Sequence, residues 1–431
     1  MHNQSFVFAQ LASHLDRNKF NYLVRKYQGD KYIKNFSCWN QLKVLMFGQL
    51  SRRESLRDLI VAVEAHSGKA KFLGFGNSVT RSNLAKANQN RDCRIFEEYA
   101  YYMMELARNL KDTTIFNLGG SIYAFDSTTV ELCLAVFCWA KFRKKKGGIK
   151  IHTLYDVEAQ VPAFFHITTA SVHDSKAMKE IPVESGSYYI FDRAYNFFAQ
   201  LYRFHCAGAF FVVRAKKNLQ YKAVKWKRRM PKNVLSDSII ELTTYKSHND
   251  YPVQLRRVEY YDEEQDRYFV FLTNAMDITA LEVALLYKNR WSVELFFKWV
   301  KQHLKIKKFW GDSENAVRIQ IYTAIISYCI VAVVHDKLKL QMSVYNTLQV
   351  LEISLTYTNL SKATSTNLTS ILTKDLTRSM NPRCLIFNFK LRPQLLVDSN
   401  VSKKQLISNG KRISIILSNF PFSVSICRYS K

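Results

Sequence analysis

The sequence predicts an α/β fold: a mixed β-sheet flanked by helices, interrupted by a β-rich insertion and preceded by an all-helical region. Three observations predict it. The first ~115 residues carry apolar side chains at three- and four-residue spacings. From Ser121 the pattern changes to short runs rich in β-branched and aromatic residues, separated by helical stretches. Helical patterning then resumes near Thr279, after a basic, strand-like region.

Element by element, "CWNQLKVLMFGQL", "SLRDLIVAVEAH" and "IFEEYAYYMMELARNL" read as helices. Between the last two lies "FGNSVTRSNLAKANQNRD", a helix that Ser78 or Thr80 can cap. Its polar side chains include Arg81, Asn83, Lys86, Asn88 and Asn90. With the helix before it, it could form a helix-turn-helix-like reader that puts Arg81 and Lys86 in a DNA groove. An ordinary solvated surface helix fits the same residues. "SIYAFDSTTVELC", "GIKIHTLYDV", "VPAFFHITTASV", "SYYIFD" and "AFFVVRA" read as strands, with "HDSKAMKEI" and "AYNFFAQLYRFHCAG" as helices between the later ones. That order suits a mixed sheet flanked by helices, the ribonuclease H-like arrangement among others. "YKAVKWKRRMPK", "SIIELTTYK", "QLRRVEYYD" and "RYFVFLTN" read as further strands. The expected divisions are 1–115 (helical, DNA-binding), 116–214 (first part of the sheet domain), 215–276 (β-strand insertion), 277–355 (closing helices) and 356–431. That last stretch, rich in Ser, Thr, Asn and Lys, reads as a helical or partly disordered tail of unassigned role.

Charge points to a partner. Lys and Arg total 63 against 35 Asp and Glu, a net +28, which favours a polyanion because each cation set beside a phosphate releases condensed counterions. A membrane surface or an acidic protein would also attract it. The eight cysteines include no C-x-x-C pair and fit neither a zinc ribbon nor a disulfide framework. "IQIYTAIISYCIVAVV" is the most lipophilic stretch, short for a membrane span, and reads as a buried helix. The expectation is a soluble cytoplasmic protein with no membrane partner.

Two aspartates end hydrophobic runs, Asp126 in "YAFDSTTV" and Asp192 in "YYIFDRAY". A carboxylate in or beside a buried strand needs a compensating cation, which a divalent metal, a salt bridge or a helix cap would each provide. Drawn as one helix, Tyr287–Lys305 puts Val293, Phe296, Phe297, Val300 and Leu304 on one face. Tyr287, Arg290, Trp291, Glu294, Lys298, Lys301 and Lys305 share the other. Glu294 could pair with Lys298 four residues on. It could instead join Asp126 and Asp192 in holding two Mg²⁺ ions, with the neighbouring cations gripping DNA phosphates.

The spacing Tyr287, Arg290, Glu294, Lys301 resembles the Tyr-Arg-Glu-Lys motif of the insertion sequence 4 family of DDE transposases. "FDSTTV" and "FDRAY" look like that family's two Asp motifs, and "FRKKKGGIKIHTLYD" like the basic hairpin and strand after the first. The likeness covers about residues 1–355, including an N-terminal helical region typical of one subgroup. It implies a ribonuclease H-like domain interrupted by an insertion after its fifth strand. Asp126, Asp192 and Glu294 would be catalytic metal ligands for Mg²⁺, with Mn²⁺ as a substitute. Tyr287, Arg290 and Lys301 would contact phosphates near the transposon end.

The implied activity is cut-and-paste transposition through a hairpin intermediate. A homodimer would act on the element's inverted-repeat ends and on target DNA, in a bacterial cytoplasm and associated with the nucleoid. Trp291 and Trp226 are stacking candidates beside a flipped base, or simply packed indoles. Lys150 and His152, two apart on a strand, are expected to approach the active site or DNA, and Lys144 and Lys145 to contact the DNA backbone. His152, His166 and His173 lack zinc spacing. Ala194 stands where the family commonly has Gly and would be strained if that turn needs a positive φ. A catalytically silent DNA-binding remnant and a nuclease without strand transfer remain as alternatives.

Overall fold

The computed structural model describes residues 6–76, 79–110, 115–133, 135–143, 146–303, 309–340, 342–356, 402–408, 411–417 and 424–428. They fall in two units, 1–368 and 369–431.

The first unit opens with helices α1 (Val7–Ser13), α2 (Arg17–Lys26), α3 (Cys38–Leu50), α4 (Leu56–Ala65), α5 (Ala70–Leu73), α6 (Arg81–Asn90) and α7 (Arg94–Asn109). Asp16, Ser37, Ser55 and Thr80 begin α2, α3, α4 and α6, each accepting a backbone N–H three residues on. Of the two caps expected before α6, Thr80 serves; Ser78 lies outside the described residues.

The sheet follows, with β1 (Ile122–Leu132), β2 (Lys141–Arg143), β3 (Lys146–Asp156), β4 (Val161–Thr169), α8 (Asp174–Lys179), β5 (Tyr188–Phe191), α9 (Phe198–Cys206) and β6 (Phe210–Arg214). Next come β7 (Tyr221–Trp226), β8 (Val234–Leu242), α10 (Tyr245–Asp250), β9 (Leu255–Asp262) and β10 (Arg267–Thr273). The strand order is β2-β3-β1-β5-β6-β10-β9-β8-β7, with β4 also on β3. β1, β5 and β6 run parallel, while β3 and β10 are antiparallel to their neighbours. Because β10 pairs with β6, strands β7–β10 continue the same sheet. The α10 helix departs from the expected strand there: Thr244 accepts the Ser247 N–H and starts a turn.

Alternation sends successive side chains to opposite faces. Ile122, Ala124, Ile190 and Val212 pack into one core with the N-terminal helices and with α11 (Ala280–Asn289), α12 (Trp291–His303), α13 (Glu314–Lys337) and α14 (Val344–Ser354). Tyr123, Phe125, Tyr189, Phe191 and Val213 pack on the other side with Met178 of α8 and Leu201 and Phe204 of α9. The lipophilic stretch noted above lies in α13. It is long and apolar enough to cross a membrane, yet 94% of its apolar window is buried here against neighbours that include α3 and α7.

Tyr287–Lys305 is not one helix. At Arg290 the bonds shorten to three-residue steps, Arg290 N–H to Tyr287 O (3.1 Å) and Val293 N–H to Arg290 O (3.2 Å). Asn289 and Ser292 turn their side chains onto the carbonyls of Leu285 and Asn289, competing with the helical ladder. The expected apolar face still holds: Val293, Phe296, Phe297 and Val300 are buried, and Trp299 joins them. Leu304 and Lys305 lie outside the described residues.

In the second unit, β11 (Ser402–Ser408), β12 (Lys411–Leu417) and β13 (Val424–Arg428) form an antiparallel three-stranded sheet. The helical or disordered expectation for the tail is corrected there, and the alternation in "RISIIL" is a strand signal.

Candidate active site

β1 and β5 are parallel neighbours with Phe125 opposite Phe191. The next residues, Asp126 and Asp192, therefore fall side by side, at the end of β5 and midway along β1, on the face that α12 covers. Where β1 and β5 begin, Gly120 and Gly186 pass so closely that a Cβ on Gly120 would meet the Gly186 oxygen at 2.1 Å, and Gly186 has φ +78°. That turn pair fixes the strands' register at the opposite end from the aspartates.

The junction between α11 and α12 supplies the rest. Arg290 donates to Asp126 Oδ2 (3.1 Å) and to Glu294 Oε1 (2.5 Å), and the Tyr287 hydroxyl donates to Asp192 Oδ1 (2.8 Å). Glu294 therefore pairs four residues back with Arg290 and not forward with Lys298.

The two aspartates differ electrically. Burial pushes the Asp126 carboxyl up to about 6, against the pull of the Ser127 N–H and Arg290, with Glu294 and Asp192 adding to the rise. At Asp192 burial acts the same way but loses to the Arg193 N–H, the Tyr287 hydroxyl, Arg290 and Arg214, and the carboxyl sits below its ordinary value. Tyr287 is pushed up to about 12 by burial and the Asp192 charge, so it keeps its proton.

Ala194 lies in a 3-10 turn, Arg193–Tyr195, and is not among the described residues with positive φ. The strain anticipated there is absent. Lys298 and Lys301 are exposed on α12, as is Trp291; Trp226 is exposed on β7, and Arg81 and Lys86 on α6. Lys144 and Lys145 lie outside the described residues.

Lys150 and His152 are a correction. Asp126 pairs with Thr153, whereas Lys150 pairs with Thr129 and His152 with Ser127, so both point to the opposite face of the sheet from Asp126. His152 is fully buried, and the Lys150 ammonium is bound to Asp174 Oδ1 and Val172 O, both at 3.1 Å. Asp174 was not singled out from the sequence; its partners are set by tertiary packing, which no local pattern reveals.

Asp126, Asp192 and Glu294 are hard oxygen donors of the kind Mg²⁺ takes, and Asp126 shares its ionic partner Arg290 with Glu294. They fit the ion in kind. The Arg290 guanidinium takes up two of the three carboxylates. Among the described residues no three His, Cys, Asp or Glu side chains stand together as a metal-holding group.

A family model for the transposase DDE domain matches residues 117–330, spanning β1 through most of α13, and one for a domain of unknown function (DUF4372) matches residues 3–76. The transposase y4zB of Sinorhizobium fredii is 35% identical over 256 residues, 58% of this chain and 70% of that protein. The transposase for insertion sequence element IS5377 of Geobacillus stearothermophilus is 31% identical over 222 residues, 51% of this chain and 58% of that one. Among solved structures, the piggyBac transposase synaptic complex with hairpin DNA covers 85% of this chain and 82% of its own, at 12% identity and a TM-score of 0.41. That overlap is too loose to carry a comparison. The paired aspartates and the helix-borne glutamate thus sit within a transposase domain. The chain belongs to the DDE transposase family.

Proposed function

We propose that this protein is the transposase of an insertion sequence, of the insertion sequence 4 family with its Tyr-Arg-Glu-Lys motif. It binds the terminal inverted repeats of its element as a homodimer on DNA. The catalytic domain is read as ribonuclease H-like, with the strands of 215–276 as its insertion and the helices of 1–115 as a DNA-binding region. The observation that carries the reading is the side-by-side placement of Asp126 on β1 and Asp192 just beyond the neighbouring parallel β5, with Arg290 joining Asp126 to Glu294.

Asp126, Asp192 and Glu294 would hold Mg²⁺, which when bound would sharpen a water or 3′-hydroxyl as nucleophile and steady the leaving oxygen. The chain's own residues do the rest. Lys298 and Lys301, exposed on α12, and Arg290 just before it would grip a scissile phosphate. Tyr287, protonated and buried, holds Asp192 in place and keeps it ionised. In the proposed course a water oxygen attacks phosphorus and the 3′-oxygen leaves. The freed 3′-hydroxyl then attacks the opposite-strand phosphodiester, expelling the flanking DNA's 3′-oxygen and closing a hairpin; a second water reopens it, releasing the 3′-hydroxyl, which attacks a target phosphodiester whose own 3′-oxygen leaves.

The test mixes purified protein with its element's ends and Mg²⁺. Hairpin and strand-transfer products are expected. Nicks alone would replace this reading with that of a nuclease, and end binding with no cleavage would replace it with that of a silent DNA-binding protein.

A further inference from the structure

Directly behind the Asp126–Asp192 pair, on the α8 side of the sheet, lies a polar cluster in an otherwise aromatic core. Asp174, the first residue of α8, is its hub. Its Oδ1 accepts the Ser127 hydroxyl (3.0 Å) and the Lys150 ammonium (3.1 Å), and His152 Nδ1 stands 3.8 Å away. The buried hydroxyl of Tyr195, from the segment that follows Asp192, lies beside that of Ser127. His152 is stacked on Phe125, and its Nε2 meets Thr168 Oγ1 at 3.1 Å.

Ser127 passes this arrangement through the sheet. Its side chain points back to Asp174, while its backbone N–H donates to Asp126 Oδ1 (2.8 Å) on the front. Asp174 tethers the Ser127 side chain and so helps hold in place the β1 backbone whose N–H Asp126 rests on. Lys150 holds Asp174 in turn, its ammonium being nearly out of solvent and tied at both ends.

We infer that Asp174 is a positioning residue, which through Ser127 sets the orientation of the Asp126 carboxylate. The inference rests on the reading of Asp126 as a metal ligand. Partners that orient a ligand typically alter metal affinity by about tenfold or more when removed. Asp174→Ala and Ser127→Ala cut the same link from its two ends, so their effects should not add. Asp174→Asn keeps an oxygen that can accept the Ser127 hydroxyl and should retain most of the function.

The experiment measures Mn²⁺ binding by calorimetry on the full chain, with thermal melting and single-turnover nicking of an inverted-repeat end alongside. The expected result is about a tenfold weaker Mn²⁺ affinity in Asp174→Ala and in Ser127→Ala. The double variant should be no worse, and Asp174→Asn should lie near wild type. A role in stability alone would lower the melting temperature and leave Mn²⁺ affinity unchanged, and would overturn the inference. If Asp174→Ala does not fold, Ser127→Ala carries the comparison. Wild type that binds Mn²⁺ while Ser127→Ala binds it equally well sinks this inference only. Wild type that binds no Mn²⁺ sinks the metal-ligand reading as well.

Discussion

Arg256 is fully buried in β9 and makes four hydrogen bonds: to Asp237 Oδ1 (2.8 Å) and Oδ2 (2.7 Å), and to the carbonyls of Ala275 (3.2 Å) and Ile278 (2.6 Å). The two carbonyls lie in the turn that leads into α11, the helix carrying Tyr287. Arg256→Met would leave Asp237, 2% exposed, with only the half-exposed Lys227 ammonium at 3.3 Å as an ionic partner among the described residues. Breaking one side of a buried pair costs roughly 3–5 kcal/mol, and Lys227 puts this case near 3. In a chain of this size that is a fall of roughly 3–4 °C in melting temperature. Asp237→Leu combined with Arg256→Met removes the stranded charge as well and should recover most of the loss. Yet the carbonyls of Ala275 and Ile278 stay unclaimed in the double variant, so nicking should remain several-fold slow while stability returns. Urea unfolding and single-turnover nicking of the three variants check this. A single variant within about 1 kcal/mol of wild type, or a double variant no more stable than the single, would refute the reasoning.

Four further outcomes are expected. Glu294→Ala and Asp192→Asn should abolish cleavage of repeat ends while sparing end binding in a gel-shift assay. Arg290→Ala and Lys301→Ala should weaken end binding and each reduce the slope of log affinity against log salt by about 1. Chelation of divalent metal should stop nicking, with Mg²⁺ or Mn²⁺ restoring it. The His152 imidazole, pushed by burial down to about 4 from 6.5, binds its proton less readily folded than unfolded. Stability should therefore be full above 6.5 and fall as pH drops through 4, by roughly 2–4 kcal/mol at the acid limit. His152→Phe should lack that acid loss in urea unfolding at pH 7 and pH 4.5.

That the two aspartates need polar or cationic partners was legible because a carboxylate closing a run such as "YYIF" contradicts its surroundings. Glu294 was legible from helical spacing, since the apolar face of α12 leaves it on the other side. What stayed hidden was set by pairing between distant segments. Lys150 and His152 share a strand face, but which face depends on Asp126 standing opposite Thr153; a slip of one residue would have brought both to the front. The break at Arg290 was also out of reach of a helical wheel, because it follows from two side chains choosing backbone carbonyls. It matters to the site: the step at Arg290 lets one guanidinium span Asp126 and Glu294.

The burial of α13 constrains how the protein is made and how it can be altered. Its apolar surface is covered in part by α3 and α7, which leave the ribosome some two hundred residues earlier. The covering is thus already synthesised when the most lipophilic segment emerges, which shortens the time that segment is open to aggregation or to membrane-insertion machinery. For the same reason the N-terminal helices cannot be trimmed away without uncovering α13, nor exchanged as a cassette for an unrelated helical domain. Any replacement must first reproduce the apolar sleeve around α13.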